Sequence, residues 1–509
     1  NEQFYLYLAL TKASEQVILT YSVMTSKGES KRPSYLINRV KQVFPKLVVE
    51  KEEMDTSYEK IMGSDKGKSY LISHLADGSY AKDVIWWEIA SHYEKKTPGI
   101  LKDLLGIREK RAGNNSLKKE AAKRLFGDVL YGSVTRFEQY VQCPFAFFAH
   151  YGLLLNERQQ YEISSLDHGN LFHQAMEHLS HELEQRNKNW QDLSEEEAVL
   201  LAAECVDAVA ERYQGRKYFQ SNRVSFMLKR LKNEVVHSVW AMWHQMQEGD
   251  FVQTYTEKGF RGNDKEWESM CIPFGEDAKI CLNGVIDRVD LCSLPGEELI
   301  KIIDYKSSDS QDLLLAKVYY GLQMQLLTYL EAAKEMVEKE HKGKEAVPAA
   351  MLYYAIKEKN LDWKPESEEE YEKRVLDSMK CKGYVNEEPE IIGHLDKSVV
   401  NGGELIPGQK SGVVPVAVDK KGLLKKNSGA LSTKDFETLI AHTKEKMKEC
   451  GKAILDGKIE AIPYVYEDND GCTYCPYGSV CGYESKKDGV REMKKMSDDE
   501  VWEALYGDD

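Results

Sequence analysis

What this chain has little of narrows its class before any motif is read. Ten cysteines in 509 residues are too dilute for the disulfide framework of a small secreted domain, and a chain of this length buries a core without such staples. Six of them, Cys205, Cys271, Cys281, Cys292, Cys381 and Cys450, stand singly in ordinary segments. No apolar run has the length that crosses a bilayer and no secretory signal opens the chain, so the cytoplasm is the expected compartment and no membrane partner is expected. The phosphate-cradling pattern GxxxxGK[ST] is absent, which argues against ATP hydrolysis by these residues alone. Internal repeats are absent too. Lys and Arg (69) are outnumbered by Asp and Glu (84), leaving a net charge of -15. That argues against a surface that coats nucleic acid throughout, but leaves room for a basic channel. Candidate linings are Arg108, Lys110, Arg111, Lys118, Lys119 and Lys123, and the pairs Lys420/Lys421 and Lys425/Lys426. Ordinary solvated surface charge is the competing reading of each.

The chain opens on Asn1 rather than Met, and the expectation is a piece of a longer polypeptide. Residues 2–11 and 17–23 read as two strands around a short turn, like an α/β module cut open at its front. Residues 50–127 read as helical, with Ile85, Trp86, Ile89 and Tyr93 on one side. A new unit starts near Ser133, which is placed to cap a helix carrying Phe137, Tyr140 and Val141, with Cys143 at its end. Residues 167–179 read as a loop around Gly169 followed by a helix carrying His173. Helices are expected to about 245, then an antiparallel strand pair over 279–291 and 299–306, with Gly284 at a close approach. A helix over 319–338, a strand over 349–357, a weakly patterned stretch over 358–430 and a helix over 434–455 complete the reading.

Two constellations carry chemistry. Asp304 and Lys306 are two apart in a strand, so both side chains leave on one face, and the preceding strand offers Asp287 and Asp290 across the hairpin. Carboxylates meeting at a strand end form a hard oxygen site suited to Mg2+ or Mn2+, and a lysine beside it can neutralise charge on a scissile phosphate. His173 is a further candidate ligand, although a lone histidine is more often structural. Gln325 and Tyr329 are four apart on a helix and share a face. The second constellation is Cys472, Cys475 and Cys481, a C-x2-C-x5-C run broken by Pro476 and Gly478, with Cys143, also followed by proline, as the best fourth donor. Four cysteines alone leave zinc and an iron-sulfur cluster both open.

The segments SVTRFEQYVQCPFAFFAHYGL, GNLFHQAMEHL, LNGVIDRVDL, IIDYKSS, GLQMQLLTY and CTYCPYGSVCGY, in that order, resemble the RecB-type nuclease domain with an iron-sulfur cluster, in the form found in the C-terminal part of the AddB subunit of AddAB helicase-nucleases. The resemblance covers about residues 131–490. It implies an α/β PD-(D/E)xK restriction-endonuclease-like core with helical elaborations and a 4Fe-4S cluster. It implies that His173, Asp287, Asp304 and the main-chain carbonyl of Tyr305 hold Mg2+, for which Mn2+ can substitute. Catalytic roles are implied for Asp287, Asp304, Lys306, Gln325 and Tyr329, and cluster ligation for Cys143, Cys472, Cys475 and Cys481.

Residues 1–127 resemble the end of a superfamily 1 helicase-like domain. Its usual Ala-Leu-Thr-Arg-Ala here has Lys12 in place of the arginine, which removes a rigid fork of donors from an ATP phosphate. No ATP-binding residue is assigned. Residues 491–509 read as a C-terminal tail. The function implied is Mg2+-dependent exonucleolytic hydrolysis of single-stranded DNA during double-strand break repair and recombination, in a heterodimer with an AddA-type helicase-nuclease subunit. A free-standing nuclease of the CRISPR-associated type and a non-catalytic DNA-binding module are the alternatives. The helicase-like front weighs against the first, and the intact Asp287, Asp304 and Lys306 against the second.

Overall fold

The computed structural model describes residues 2–23, 30–49, 64–77, 83–103, 116–156, 165–214, 222–261, 267–275, 278–306, 312–356, 367–467, 469–483 and 489–507. They fall into two compact units, Asn1–Lys110 and Arg111–Asp509. No helix among the described residues is long and apolar enough to cross a membrane.

The first unit is helical. Its small core joins Leu71 and Leu75 of helix Ser64–Asp77 to Trp86, Ala90 and Tyr93 of helix Val84–Lys96. Asp83 caps the latter by accepting the N–H groups of Ile85 (3.0 Å) and Trp86 (3.3 Å). The expected opening strand is instead a helix, Glu2–Thr11. Aromatic residues gave the strand reading, but Glu2 to Leu10 holds no β-branched residue and several good helix formers. Residues 17–22 carry no regular secondary structure, because a β-branched run makes no strand without a ladder partner. Arg108, Lys110 and Arg111 lie outside the described residues.

The second unit is built on a mixed sheet. Its elements, in chain order, are helix α1 (Lys119–Phe126), strand β1 (Val129–Gly132), helices α2 (Val134–Gln142), α3 (Pro144–Phe147), α4 (Ser165–Gln185), α5 (Glu195–Gln214) and α6 (Asn222–Gln247), and strands β2 (Val252–Phe260), β3 (Met270–Phe274), β4 (Ala278–Leu282), β5 (Gly284–Leu294) and β6 (Glu297–Lys306). Then come helix α7 (Gln325–Glu340), strands β7 (Glu345–Ala355), β8 (Lys382–Asn386) and β9 (Ala430–Leu431), helix α8 (Thr433–Leu455), strands β10 (Tyr464–Tyr466), β11 (Asn469–Asp470) and β12 (Arg491–Met493), and helix α9 (Asp498–Tyr506). The central sheet runs β9-β8-β7-β6-β5-β2, with β6 parallel to β7 and β5 antiparallel to both its neighbours.

Strand alternation sorts the sheet into two faces. Val289, Leu291, Ile300, Ile302 and Met351 pack with α7 and α8, whereas Ile303, Tyr305, Leu352 and Tyr354 pack with α4, α5 and α6. The residues expected as one strand over 279–291 divide at Asn283 into β4 and β5. A Cβ on Gly284 would lie 2.8 Å from the Phe260 ring and 3.2 Å from that of Tyr329, so the close approach is real. The helix expected over 319–338 is interrupted: Gly321, at φ +79°, turns the chain between the short helix Leu315–Tyr319 and α7. The stretch over 358–430, read as loops, holds helix Glu368–Ser378, strand β8 and helix Pro389–Leu395. Cys271 and Cys281, read as single, are cross-strand neighbours in β3 and β4 and form a disulfide. Residues 491–509, read as a tail, add β12 to a small sheet and bury Val501 of α9 in the core.

Asp290, offered by the hairpin, faces away from Asp287 and is fully buried. It accepts two hydrogen bonds from Arg288 (2.7 and 3.0 Å) and pairs with Lys301 at 2.8 Å. Arg288 also stacks on Trp190, 5.4 Å from its ring centre. Removing the one anion strands two buried cations, so Asp290→Ala is expected to cost about 3–5 kcal/mol. Urea denaturation reads this; an unchanged midpoint would show that the cations find other partners.

Candidate active site

The polar centre lies where β6 ends and β5 begins, which antiparallel pairing places at one end of the sheet. Asp304 and Lys306 share the face that packs on α7, and Asp287 projects from β5 on the same side as Val289. Helix α4, from the opposite layer, brings His173 over the strand end; it starts at Ser165, so Gly169 is within the helix rather than in a loop before it. His173 Nδ1 lies 3.0 Å from Glu257 Oε1 and 3.5 Å from Asp287 Oδ1. The donor atoms of His173, Glu257 and Asp287 all lie within 4.8 Å of one another. Asp287 Oδ2 accepts the Tyr305 N–H at 2.7 Å, which fixes the carboxylate against the neighbouring strand.

A second group of contacts spreads from Asp304. Lys306 Nζ is 2.5 Å from Asp304 Oδ2. The Gln325 amide donates to Asp304 Oδ1 (2.8 Å) and to the Tyr329 hydroxyl (3.1 Å), and its oxygen accepts from Lys306 Nζ (3.1 Å). Asp304 is 2 % exposed, and its Oδ2 is buried without an aligned hydrogen bond. The Lys306 contact there is therefore an ion pair and leaves an acceptor open.

Electrostatics mark the place as crowded with negative charge. Burial raises the Asp287 carboxyl well above the usual range and the Asp304 charge adds to this, with His173 opposing. Asp304 is raised by burial against the pull of Lys306. Burial works to lower His173, but its contact with Glu257 and the charges of Asp287 and Asp304 prevail and push it up to about 9. Carboxylates held together despite their raised proton affinity fit a hard divalent cation.

Two residues here were missed by sequence reasoning. Glu257 lies in β2 opposite Asp287, at φ +45°, a left-handed backbone that costs a non-glycine residue about 1–3 kcal/mol and clusters at functional sites. Glu138 accepts the N–H groups of Met324 (2.6 Å) and Gln325 (3.2 Å) at the start of α7. Its sequence signal was a charge inside the apolar stripe of Val134, Phe137 and Val141.

The cysteine group lies where the two ends of the unit meet. Cys143 ends α2 and packs with Ala146, Ala149, Tyr477 and Cys475. Ser133 stands at the α2 N-cap, but its side chain makes no cap bond. Burial, Asp470 and the other three cysteines, Cys143, Cys475 and Cys481, raise the Cys472 thiol to about 11. Asp470 Oδ1 accepts the N–H groups of Cys472 (3.0 Å) and Thr473 (2.7 Å), setting the turn. The seam is further knit by Phe145 N–H to Glu460 O (3.2 Å), and by the Tyr477 hydroxyl, which donates to Leu155 O (2.9 Å) and lies 2.9 Å from His150 Nδ1. Cys143 and Cys475 pack together and the other cysteines act electrostatically on Cys472, but among the described residues no three of these sulfurs lie within 4.8 Å of one another. Thiols brought near each other from both ends of the unit suit a soft metal centre that would hold them as thiolates.

Of the candidate basic linings, Lys119 pairs with Asp456 (2.8 Å) and Lys123 with Asp128 (3.1 Å), while Lys420, Lys421, Lys425 and Lys426 are exposed.

Residues 132–482 match the PD-(D/E)XK nuclease superfamily. Over 100% of its length the chain is 34% identical to the ATP-dependent helicase/deoxyribonuclease B subunit of Lachnoclostridium phytofermentans, covering 43% of that protein. Its counterparts in Clostridium perfringens and Alkaliphilus oremlandii are 31% and 28% identical over 99% of the chain, which covers 44% of each. The chain thus spans less than half the length of the curated relatives it matches. It belongs to the PD-(D/E)XK nuclease superfamily, and along its whole length it is similar to the B subunits of ATP-dependent helicase/deoxyribonucleases.

Proposed function

We propose that the chain hydrolyses single-stranded DNA exonucleolytically with Mg2+, as the nuclease part of an AddB-type subunit paired with an AddA-type helicase-nuclease in double-strand break repair and recombination. The observation that carries this is the meeting of His173, Glu257 and Asp287 with the Asp304, Lys306 and Gln325 group at one sheet end. His173, Asp287, Asp304 and the Tyr305 carbonyl would hold the ion, and we add Glu257 to them. When bound, Mg2+ or Mn2+ supplies a water of lowered pKa and neutralises charge on the phosphoryl group.

The chain's own residues do the remaining work. Lys306 Nζ is a fixed cation for a phosphoryl oxygen, kept in place by Asp304 and by the Gln325 oxygen. Tyr329, 9 % exposed and bonded to Gln325, braces that amide from behind. The buried strand ends exclude bulk water from the reacting phosphate. Cys143, Cys472, Cys475 and Cys481 would hold a 4Fe-4S cluster, which would tie the unit's two ends to each other, and residues 1–127 are the end of a helicase-like domain.

The test is a comparison of linear and circular single strands with the chain and Mg2+: nucleotides released from linear DNA alone support the reading, and equal cutting of the circle refutes exonucleolytic action.

Metal binding supplies a pH prediction. A protonated His173 cannot ligate, and its pKa of about 9 in the metal-free chain means that binding displaces a proton. Affinity for Mn2+ should therefore rise between pH 6.5 and 9, by up to about tenfold per unit for each proton displaced. The metal-free chain should follow the opposite trend: stability contributed by His173 is complete below its ordinary pKa of about 6.5 and is lost as pH rises through about 9. Calorimetric titration across that window checks the first trend, and a flat affinity would exclude His173 as a ligand.

A further inference from the structure

The first N–H groups of any helix lack partners within it and need an acceptor from elsewhere. At α7 the N-cap residue is Met324, whose side chain makes no cap bond. The acceptor arrives from another helix: Glu138 of α2 takes the N–H groups of both Met324 and Gln325 on one oxygen, at 2.6 and 3.2 Å. A carboxylate is also the favoured charge at a helix N-terminus.

Gln325 is the residue whose side chain spans the centre, touching Asp304, Lys306 and Tyr329. Its main chain is thus held by Glu138 while its amide holds the catalytic lysine and acid. Asp304 and Lys306 lie close enough to act electrostatically on Glu138, whose carboxyl burial raises to about 7.

We propose that Glu138 is a positioning residue of the nuclease centre, which by fixing the first turn of α7 sets the Gln325 amide, and through it Lys306, against Asp304. This rests on the nuclease reading above. A structural role alone would lower stability without singling out Gln325; a positioning role makes the two residues act as one.

The experiment is a double-mutant cycle on the 509-residue chain, reading kcat and KM for single-stranded DNA in Mg2+. Glu138→Ala is expected to lower kcat by about a hundredfold, as a misplaced catalytic group does, with KM little changed. Added to Gln325→Ala, it should lower kcat by less than about twofold further, because the shared contact is already gone. Glu138→Gln, which keeps the acceptor oxygen, should restore most of kcat. Effects of Glu138→Ala and Gln325→Ala that multiply, or a Glu138→Ala chain as fast as the parent, overturn the proposal. Should Glu138→Ala not fold, Glu138→Asp, which withdraws the carboxylate by one methylene, goes through the same cycle with the same two readings.

Hydrogen exchange at the Met324 and Gln325 amides reads the contact without cleavage: faster exchange in the variant supports it, and equal protection refutes it. A parent chain that does not cleave refutes the nuclease reading, and the exchange measurement then decides this inference separately.

Discussion

Asp304→Ala is expected to abolish Mg2+-dependent cleavage while the chain stays folded. The substitution removes a proposed ion ligand and the anion that pairs with Lys306. An ion supplies several kcal/mol of transition-state stabilisation, and at about 1.36 kcal/mol per decade this makes the expected loss in kcat on the order of a thousandfold or more. Stability should move the other way or not at all, because Asp304 is buried with a raised proton affinity. Single-turnover cleavage and a thermal melt, run on the same preparation, separate the two. A variant that cleaves at the parent's rate would place the chemistry elsewhere.

The second large effect is on stability. Cys472→Ala is expected to lower the unfolding free energy by about 3 kcal/mol or more, since the proposed cluster would cross-link distant chain positions and so restrict the unfolded ensemble. The hydrogen bonds of the seam, from Phe145, Tyr477 and Asp470, remain in the variant, so loss of order should begin at residues 469–483 and at the end of α2 rather than throughout. Limited proteolysis with iron analysis of anaerobically purified protein reads this. Equal protease resistance in a variant without iron would mean that the four cysteines contribute nothing to the fold.

Local chemistry was legible in the sequence where one strand or one helix carries it. Asp304 and Lys306 share a face because strand side chains alternate, and Gln325 and Tyr329 share one because helix positions four apart do. Asp290 shows the limit of that reasoning. It lies three residues from Asp287 in the same strand, so its side chain emerges on the other face, where Arg288 and Lys301 neutralise it. Glu257 depends on the register of β2 against β5 and on a left-handed backbone, neither of which a single strand's pattern contains. Glu138 was visible as a charge in an apolar stripe, but its partner α7 could not be read from α2. The capping box of Ser367 and Glu370 was a local signal for helix Glu368–Ser378 that the charge-rich surroundings obscured. Glu2–Thr11 is a helix rather than the expected strand because its leucines, Ala9, Glu2 and Gln3 favour a helix and its aromatic residues are compatible with either element.

The proposed nuclease activity turns on whether this sheet end, loaded with Mg2+, cuts single-stranded DNA. Release of label from end-labelled single strands by the anaerobically purified chain, in Mg2+ and in EDTA, decides it. Release in Mg2+ and none in EDTA is the expected result. Equal release in both, or none in Mg2+ from the folded chain, would mean that the sheet end is not a metal-dependent nuclease centre.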